Sequence, residues 1–223
     1  MIFHIITIFP EIFNSYFKES IIGRAQKEGK IKINIINLRN FTEDRHKSVD
    51  DSPYGGGAGM LMKVEPIYKA IQSIKKKNKK QRIILLSARG EKWNQHRVQS
   101  YIQKYEDFIL ICGRYEGVDE RVLEFVDEEI SIGDYILTGG EIPAMILVDS
   151  LTRLFPGVLG NKESIISESH VEEGILEYPQ YTRPEIFKDN DKKEYGVPHI
   201  LLSGNHQEIE KWRKKNRKKL IIK

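Results

Sequence analysis

Apolar and polar positions alternate along the chain in blocks, and the blocks predict most of its elements. Residues 3–9 form an apolar run of strand length, and Pro10-Glu11 behind it has the form of a helix start. Ile12, Phe13, Tyr16 and Phe17 would then share one helical face. Residues 31–38 predict a second strand, in which Ile31, Ile33 and Ile35 alternate. The pattern further predicts a helix over 64–73, a buried strand over 82–87 and a helix over 91–104. A strand over 107–112 and a helix over 119–126 follow. Residues 129–137 predict one more strand, and 141–155 a helix apolar almost all round and therefore buried. Strands alternating with helices in this way predict an α/β fold with a mainly parallel sheet and right-handed crossovers.

Three glycine-marked segments interrupt the blocks. Residues 39–63 keep no period and contain Tyr54-Gly55-Gly56-Gly57-Ala58-Gly59-Met60; a loop that long in a compact domain is usually functional. Cys112-Gly113-Arg114-Tyr115-Glu116-Gly117 closes the strand over 107–112. Residues 129–140 read Glu-Ile-Ser-Ile-Gly-Asp-Tyr-Ile-Leu-Thr-Gly-Gly, a strand that turns at Gly133 and breaks at Gly139-Gly140. Glycines at strand ends let backbone approach a ligand closely, and backbone-lined pockets at strand ends commonly hold nucleotides. The chain has neither a GxGxxG fingerprint nor a GxxxxGK[ST] loop, which argues against a dinucleotide-binding oxidoreductase and a P-loop NTPase.

Composition narrows the class. With 223 residues, 39% of them hydrophobic, the chain has room for one sizeable domain and a small appendage. No stretch approaches the roughly 18 consecutive apolar residues of a membrane span. The N-terminus lacks a basic lead and a small-residue cleavage site, so it reads as a first strand and not as a signal peptide. The single cysteine, Cys112, ends an apolar run and reads as a buried thiol; a cytoplasmic location fits all of this. The net charge of +4 is unevenly spread. Lys211, Arg213, Lys214, Lys215, Arg217, Lys218, Lys219 and Lys223 crowd a tail with no acid after Glu210, which favours RNA contact. The run Lys75-Lys76-Lys77-Asn78-Lys79-Lys80 reads equally as a phosphate contact or a solvated face. A polar stretch over 161–174 predicts a flexible linker between a domain over 1–160 and a basic region over 175–223. In that region Asn205 and Glu208 form a capping-box-like start, and Ile209, Trp212 and Leu220 give a narrow apolar stripe.

Several side chains are candidates for chemistry. Arg153 follows Asp149 by one helical turn, so the two could pair, and a buried arginine needs a partner or a task. Asp44-Arg45-His46 and Asp50-Asp51 lie beside the glycine loop, as a binding cluster or a surface salt-bridge network. His4, His96, His199 and His206 show no metal-ligand spacing, so no structural metal is expected.

Taken together, the chain resembles the bacterial tRNA (guanine-N(1)-)-methyltransferase family, the TrmD type of the SPOUT methyltransferases. The likeness runs from Met1-Ile2-Phe3 to Leu201-Leu202-Ser203-Gly204-Asn205-His206. It includes Asp44-Arg45-His46, Gly113-Arg114-Tyr115-Glu116-Gly117, Ser131-Ile132-Gly133-Asp134-Tyr135, Phe155-Pro156-Gly157-Val158-Leu159-Gly160 and Tyr178-Pro179-Gln180-Tyr181-Thr182-Arg183-Pro184. The resemblance implies a deep trefoil knot, which patterning does not predict, and a C-terminal helical segment shorter than usual for the family. It implies S-adenosyl-L-methionine bound by Leu86, Gly113, Tyr115, Glu116, Ile132, Gly133, Asp134, Tyr135, Ile136, Leu137 and Gly140. The target would be N(1) of the guanosine at tRNA position 37, just 3′ of the anticodon, near His46, Asp50, Gly57 and Gly59. Arg153 would offset charge on O6 of the guanine. The family's linker aspartate is matched here by Glu168, in Glu168-Ser169-His170, as general base, with Glu172 and Glu173 as alternatives. The resemblance also implies a homodimer with the active site at its interface, and a Mg²⁺ for which the sequence offers no ligand set. Two other readings remain: an RNA-binding module that has kept the pocket but lost catalysis, and a SPOUT enzyme for another RNA.

Overall fold

The computed structural model describes residues 1–77, 80–159, 169–170 and 174–219. Contacts divide the chain into two units, Met1–Gly160 and Asn161–Lys223.

The first unit contains strands β1 (Ile2–Thr7), β2 (Lys32–Asn37), β3 (Asp50–Asp51), β4 (Leu61–Met62), β5 (Gln81–Lys92), β6 (Asp107–Cys112) and β7 (Glu128–Ser131). Its helices are α1 (Ser20–Lys27), α2 (Val64–Ile74), α3 (Gln95–Lys104) and α4 (Glu141–Leu154). Five strands form one all-parallel sheet in the order β2-β1-β6-β5-β7. β3 and β4 make a separate antiparallel ladder. β6 is central and buried along its whole length, as expected of a parallel strand covered on both faces. Its side chains alternate between two cores. Phe108 and Leu110 pack with Phe3, Ile5 and the α4 residues Leu147 and Leu151. Ile109 and Ile111 pack with Ile6, Leu85 and the α2 residues Ile67 and Ile71.

The α/β class and the parallel sheet agree with the expectation from pattern; several boundaries differ, each for a local reason. Pro10 opens two 3-10 turns, Pro10–Phe13 and Tyr16–Lys18, in place of one helix. Phe13 and Phe17 stack at 5.3 Å and enter the core, while Ile12 and Tyr16 stay exposed, so the four do not share a face. α1 then follows, a helix the pattern does not predict. Gly23 in its middle lets it pack closely, since a Cβ there would lie 2.2 Å from the Lys18 carbonyl oxygen. β5 runs on to Lys92, and α3 starts only at Gln95, where Asn94 accepts a hydrogen bond from the Arg97 amide at 2.9 Å. The polar end of β5 is a strand because, past a bulge between Leu86 and Glu91, it pairs again with β7. Residues 120–125 are 3-10 and not α. β7 ends at Ser131, well before the predicted Leu137. α4 is not buried all round: Ile142 and Ile146 are 50% and 38% exposed.

Of the basic run over 75–80, Lys76 donates to the buried Asp107 at 2.8 Å and Lys80 pairs with Glu106. Among the described residues no helix is long and apolar enough to cross a membrane.

In the second unit a hairpin joins Ile186–Lys188 to Glu194–Gly196, and Ile175–Leu176 pairs with Lys218–Lys219. The basic helix His206–Lys215 is capped by the Asn205 side chain, which accepts from the Glu208 amide at 3.3 Å. Trp212 meets the Tyr181 ring at 6.4 Å, and Arg213 lies over Tyr178 at 5.2 Å. Most of the expected linker over 161–174, and Leu220, lie outside the described residues.

Candidate active site at the carboxyl end of the sheet

β5 around its bulge and the segments that follow β6 and β7 enclose a cavity of about 560 Å³, a size suited to a nucleotide-like ligand. The segment after β7 doubles back onto the segment after β6. Gly140 donates to the Gly113 carbonyl at 2.9 Å, and Arg114 bridges to Gly139. A Cβ on Gly140 would lie 2.7 Å from the Cys112 Cα. This glycine therefore permits backbone to meet backbone. Tyr115 holds a left-handed φ of 61°, an uncommon conformation for a residue with a side chain, and one that collects at working sites.

The walls of the cavity are apolar and open. Tyr135, Ile136 and Leu137 are 54%, 83% and 37% exposed. The apolar run read from sequence as a strand leaves the sheet here and lines the cavity. Local hydrogen bonds hold its start: the Ser131 hydroxyl donates to the Gly133 carbonyl at 3.1 Å, and the Tyr135 hydroxyl to the Ile132 carbonyl at 3.3 Å.

One buried carboxylate fixes the frame. Glu141, 1% exposed at the start of α4, accepts from Arg114 Nε at 2.9 Å and from Thr7 Oγ1 at 2.8 Å. Arg114 Nη1 also donates to the Thr138 carbonyl at 3.1 Å, so one guanidinium ties β6, the β7–α4 segment and α4 together. The helix dipole favours an anion at this end of α4. Sequence reasoning passed over Glu141. Its signal was an acid heading an apolar helix directly behind two glycines. The Cys112 thiol beneath it is buried, and burial pushes its pKa well up, so it is inert.

Leu86, Gly113, Tyr115, Glu116, Ile132, Gly133, Tyr135, Ile136, Leu137 and Gly140 all line this cavity. Asp134 does not; its carboxylate pairs with Lys92. The glycine loop is zipped to the cavity wall at its base. Glu116 donates to the Met60 carbonyl at 3.1 Å, Met62 to Gly117 at 3.0 Å and Asp119 to Met62 at 2.9 Å. Gly59 lies against Glu116, where a Cβ would come within 2.4 Å of the Glu116 side chain. Gly57, His46 and Asp50 stand outside the lining. Asp44 instead caps its own turn, accepting from the His46 amide at 3.0 Å and the Ser48 amide at 3.0 Å.

Arg153 sits in the last turn of α4, roughly 20 Å along the helix axis from Gly140 at about 1.5 Å per residue. It ends a surface stripe formed by Ile142, Ile146 and Asp149, on which Asp149 accepts a hydrogen bond from the Tyr16 hydroxyl. That bond, with partial burial, raises the Tyr16 pKa to about 12. Glu168, Glu172 and Glu173 lie outside the described residues; Ser169 beside them accepts from the Glu177 amide at 2.9 Å. Among the described residues no three His, Cys, Asp or Glu side chains converge as a metal cage.

Residues 1–222 match the family described as tRNA (Guanine-1)-methyltransferase TrmD. A Dictyoglomus turgidum protein named tRNA (guanine-N(1)-)-methyltransferase is 55% identical over 95% of this chain and 82% of its own length. Proteins of the same name from Geotalea uraniireducens and Clostridium tetani are 53% and 50% identical, covering 96% and 98% of this chain and 85% and 88% of their own.

Proposed function

The chain belongs to the TrmD family of tRNA (guanine-N(1)-)-methyltransferases, and we propose that it uses S-adenosyl-L-methionine to methylate the guanosine at position 37 of tRNA, next to the anticodon. As a member of that family it methylates N(1) of a guanine in tRNA. The donor and the position are the finer part of the reading. One observation carries it: the cavity at the carboxyl end of the sheet has exposed apolar walls and backbone polar groups. Those features suit a flat, hydrogen-bonding purine, with Ile132, Ile136 and Leu137 against its faces and the backbone around Gly113, Gly133 and Gly140 at its edge. Leu86, Tyr115, Glu116 and Tyr135 complete the donor site, and Asp134 stands outside its lining.

When bound, S-adenosylmethionine supplies an electrophilic methyl group. The chain's own residues must then make N(1) a nucleophile. N(1) of guanine carries a proton at neutral pH, and Glu168 removes it as general base. The negative charge that grows on O6 meets the guanidinium of Arg153. With roughly 20 Å of helix between Arg153 and the donor cavity of its own chain, this residue serves the cavity of a second copy.

A homodimer supplies that copy. The stripe Ile142, Ile146 on α4, with Phe9, Ile12 and Tyr16 nearby in the first unit, is the exposed apolar face such a dimer would cover. Residues 1–160 then hold the donor and residues 161–174 carry Glu168. The basic region over 175–223 meets the tRNA, while His46, Asp50, Gly57 and Gly59 contact it near the target base. The doubling back of the β7–α4 segment is where the trefoil knot of this reading would lie, and the site of action is the cytoplasm.

Transfer of labelled methyl from S-adenosylmethionine tests the reading. A tRNA with guanosine at position 37 should accept label, and the same tRNA with adenosine there should not. Mixing inactive Arg153→Ala and Glu168→Ala chains should restore activity through one intact mixed site; no recovery would rule out a site shared between copies.

A further inference from the structure

Two adjacent glutamates on β7 have opposite fates. Glu128 is saturated: it accepts from Arg82 Nε at 2.5 Å, from Arg97 Nη2 at 2.5 Å, and from the Tyr101 hydroxyl. Glu129 lines the cavity instead. Its Oε1 is buried and accepts no hydrogen bond from any described residue. The nearest cation is Arg89 Nη2 at 3.7 Å, beyond hydrogen-bonding distance, and that guanidinium donates instead to Glu120 Oε2 at 2.9 Å. A buried carboxylate oxygen without a donor is costly, and native proteins rarely keep one without a use.

The position of Glu129 is also fixed. β7 pairs with β5 on both sides of the bulge, and Leu85 stands opposite Glu129. Gly90 in the bulge lies so close that a Cβ there would come within 2.4 Å of the Ile130 nitrogen. Glu129 therefore projects from a rigid strand into the space where the methyl donor is placed, as preorganised recognition requires.

We propose that Glu129 is a donor-binding residue, its Oε1 accepting a hydrogen bond from an N–H or O–H group of the bound methyl donor. Arg89, held by Glu120 at the rim, does not occupy that oxygen. The inference rests on the cavity being the methyl-donor pocket. The donor offers two sources of such a group: the nucleoside, through its ribose hydroxyls and adenine amine, and the amino-acid ammonium.

Calorimetric titration of S-adenosylhomocysteine and of adenosine into the full chain separates the possibilities. Glu129→Ala should weaken S-adenosylhomocysteine about tenfold, the low end for a lost hydrogen bond to a charged group. If adenosine weakens equally, the nucleoside supplies the hydrogen; if adenosine is unchanged, the ammonium does. Arg89→Ala keeps the acceptor and should bind as tightly as the parent. Glu129→Asp keeps the charge but withdraws the oxygen, so it should weaken binding even if Glu129→Ala folds poorly. Equal affinity for parent, Glu129→Ala and Glu129→Asp overturns the inference while leaving the pocket intact, as does matching weakening in Arg89→Ala and Glu129→Ala, which would make Glu129 only a counter-ion. A parent chain that binds neither ligand overturns both the pocket and the inference.

Discussion

The two ends of the parallel sheet are built in opposite ways. At the amino end polar groups are buried and largely matched. Lys76 reaches the buried Asp107, Gln81 accepts from the Lys76 amide at 2.8 Å, and the chain's amino terminus donates to the Lys30 carbonyl at 3.0 Å. At the carboxyl end apolar groups are left open, with Ile136 83% exposed above a cavity. The same strands thus hold the unit together at one end and present a binding surface at the other. Buried pairing adds to stability, whereas exposed apolar area adds nothing until a ligand covers it.

Glu141 joins the two roles, so its loss should do the most damage. Glu141→Ala leaves Arg114 and Thr7 without their acceptor and should cost about 3 kcal/mol of stability in chemical denaturation, with donor binding abolished. An unchanged denaturation midpoint would mean that the pair does not hold the frame. Gly140→Ala forces a Cβ against the Cys112 backbone and should cost about 2 kcal/mol, typical of overpacking, with weaker donor binding measured alongside. Ile136→Ala separates the roles: its melting temperature should match the parent's, while S-adenosylhomocysteine binds about tenfold less tightly for the lost apolar contact. A drop in melting temperature there would place Ile136 in the core.

The amino end gives the smallest effect, and a pH-dependent one. His4 is nearly buried, 3.5 Å from Asp107, and desolvation holds its pKa below the ordinary 6.5 despite the opposing pull of Asp107, while Lys76 and Lys32 reinforce the lowering. The unfolded chain therefore takes up this proton first as pH falls. The stability present above pH 6.5 is lost as pH drops through the folded value. His4→Asn should flatten that part of the stability profile and leave donor affinity unchanged at neutral pH. A profile identical to the parent's would remove His4 from the account.

The sequence made the central layer of the fold plain and its edges less so. β6 was read to the residue because a strand buried on both faces is apolar throughout. The polar end of β5 read as helix because what holds Glu91 and Lys92 in a strand is pairing with β7, a long-range contact that leaves no local pattern. Ile136 and Leu137 read as strand because apolarity alone cannot tell a core wall from a ligand wall. The glycine turns did point to the cavity, and most residues named from them line it. Glu129 and Glu141 escaped notice because a carboxylate's role depends on which donors surround it, and that is set by tertiary structure.

The most direct measurement is a calorimetric titration of S-adenosylhomocysteine into the folded chain. The account predicts saturable heat with one site per chain, and displacement by S-adenosylmethionine. A flat titration with folded protein would contradict it, because the open apolar end of the sheet would then have no methyl donor to cover it.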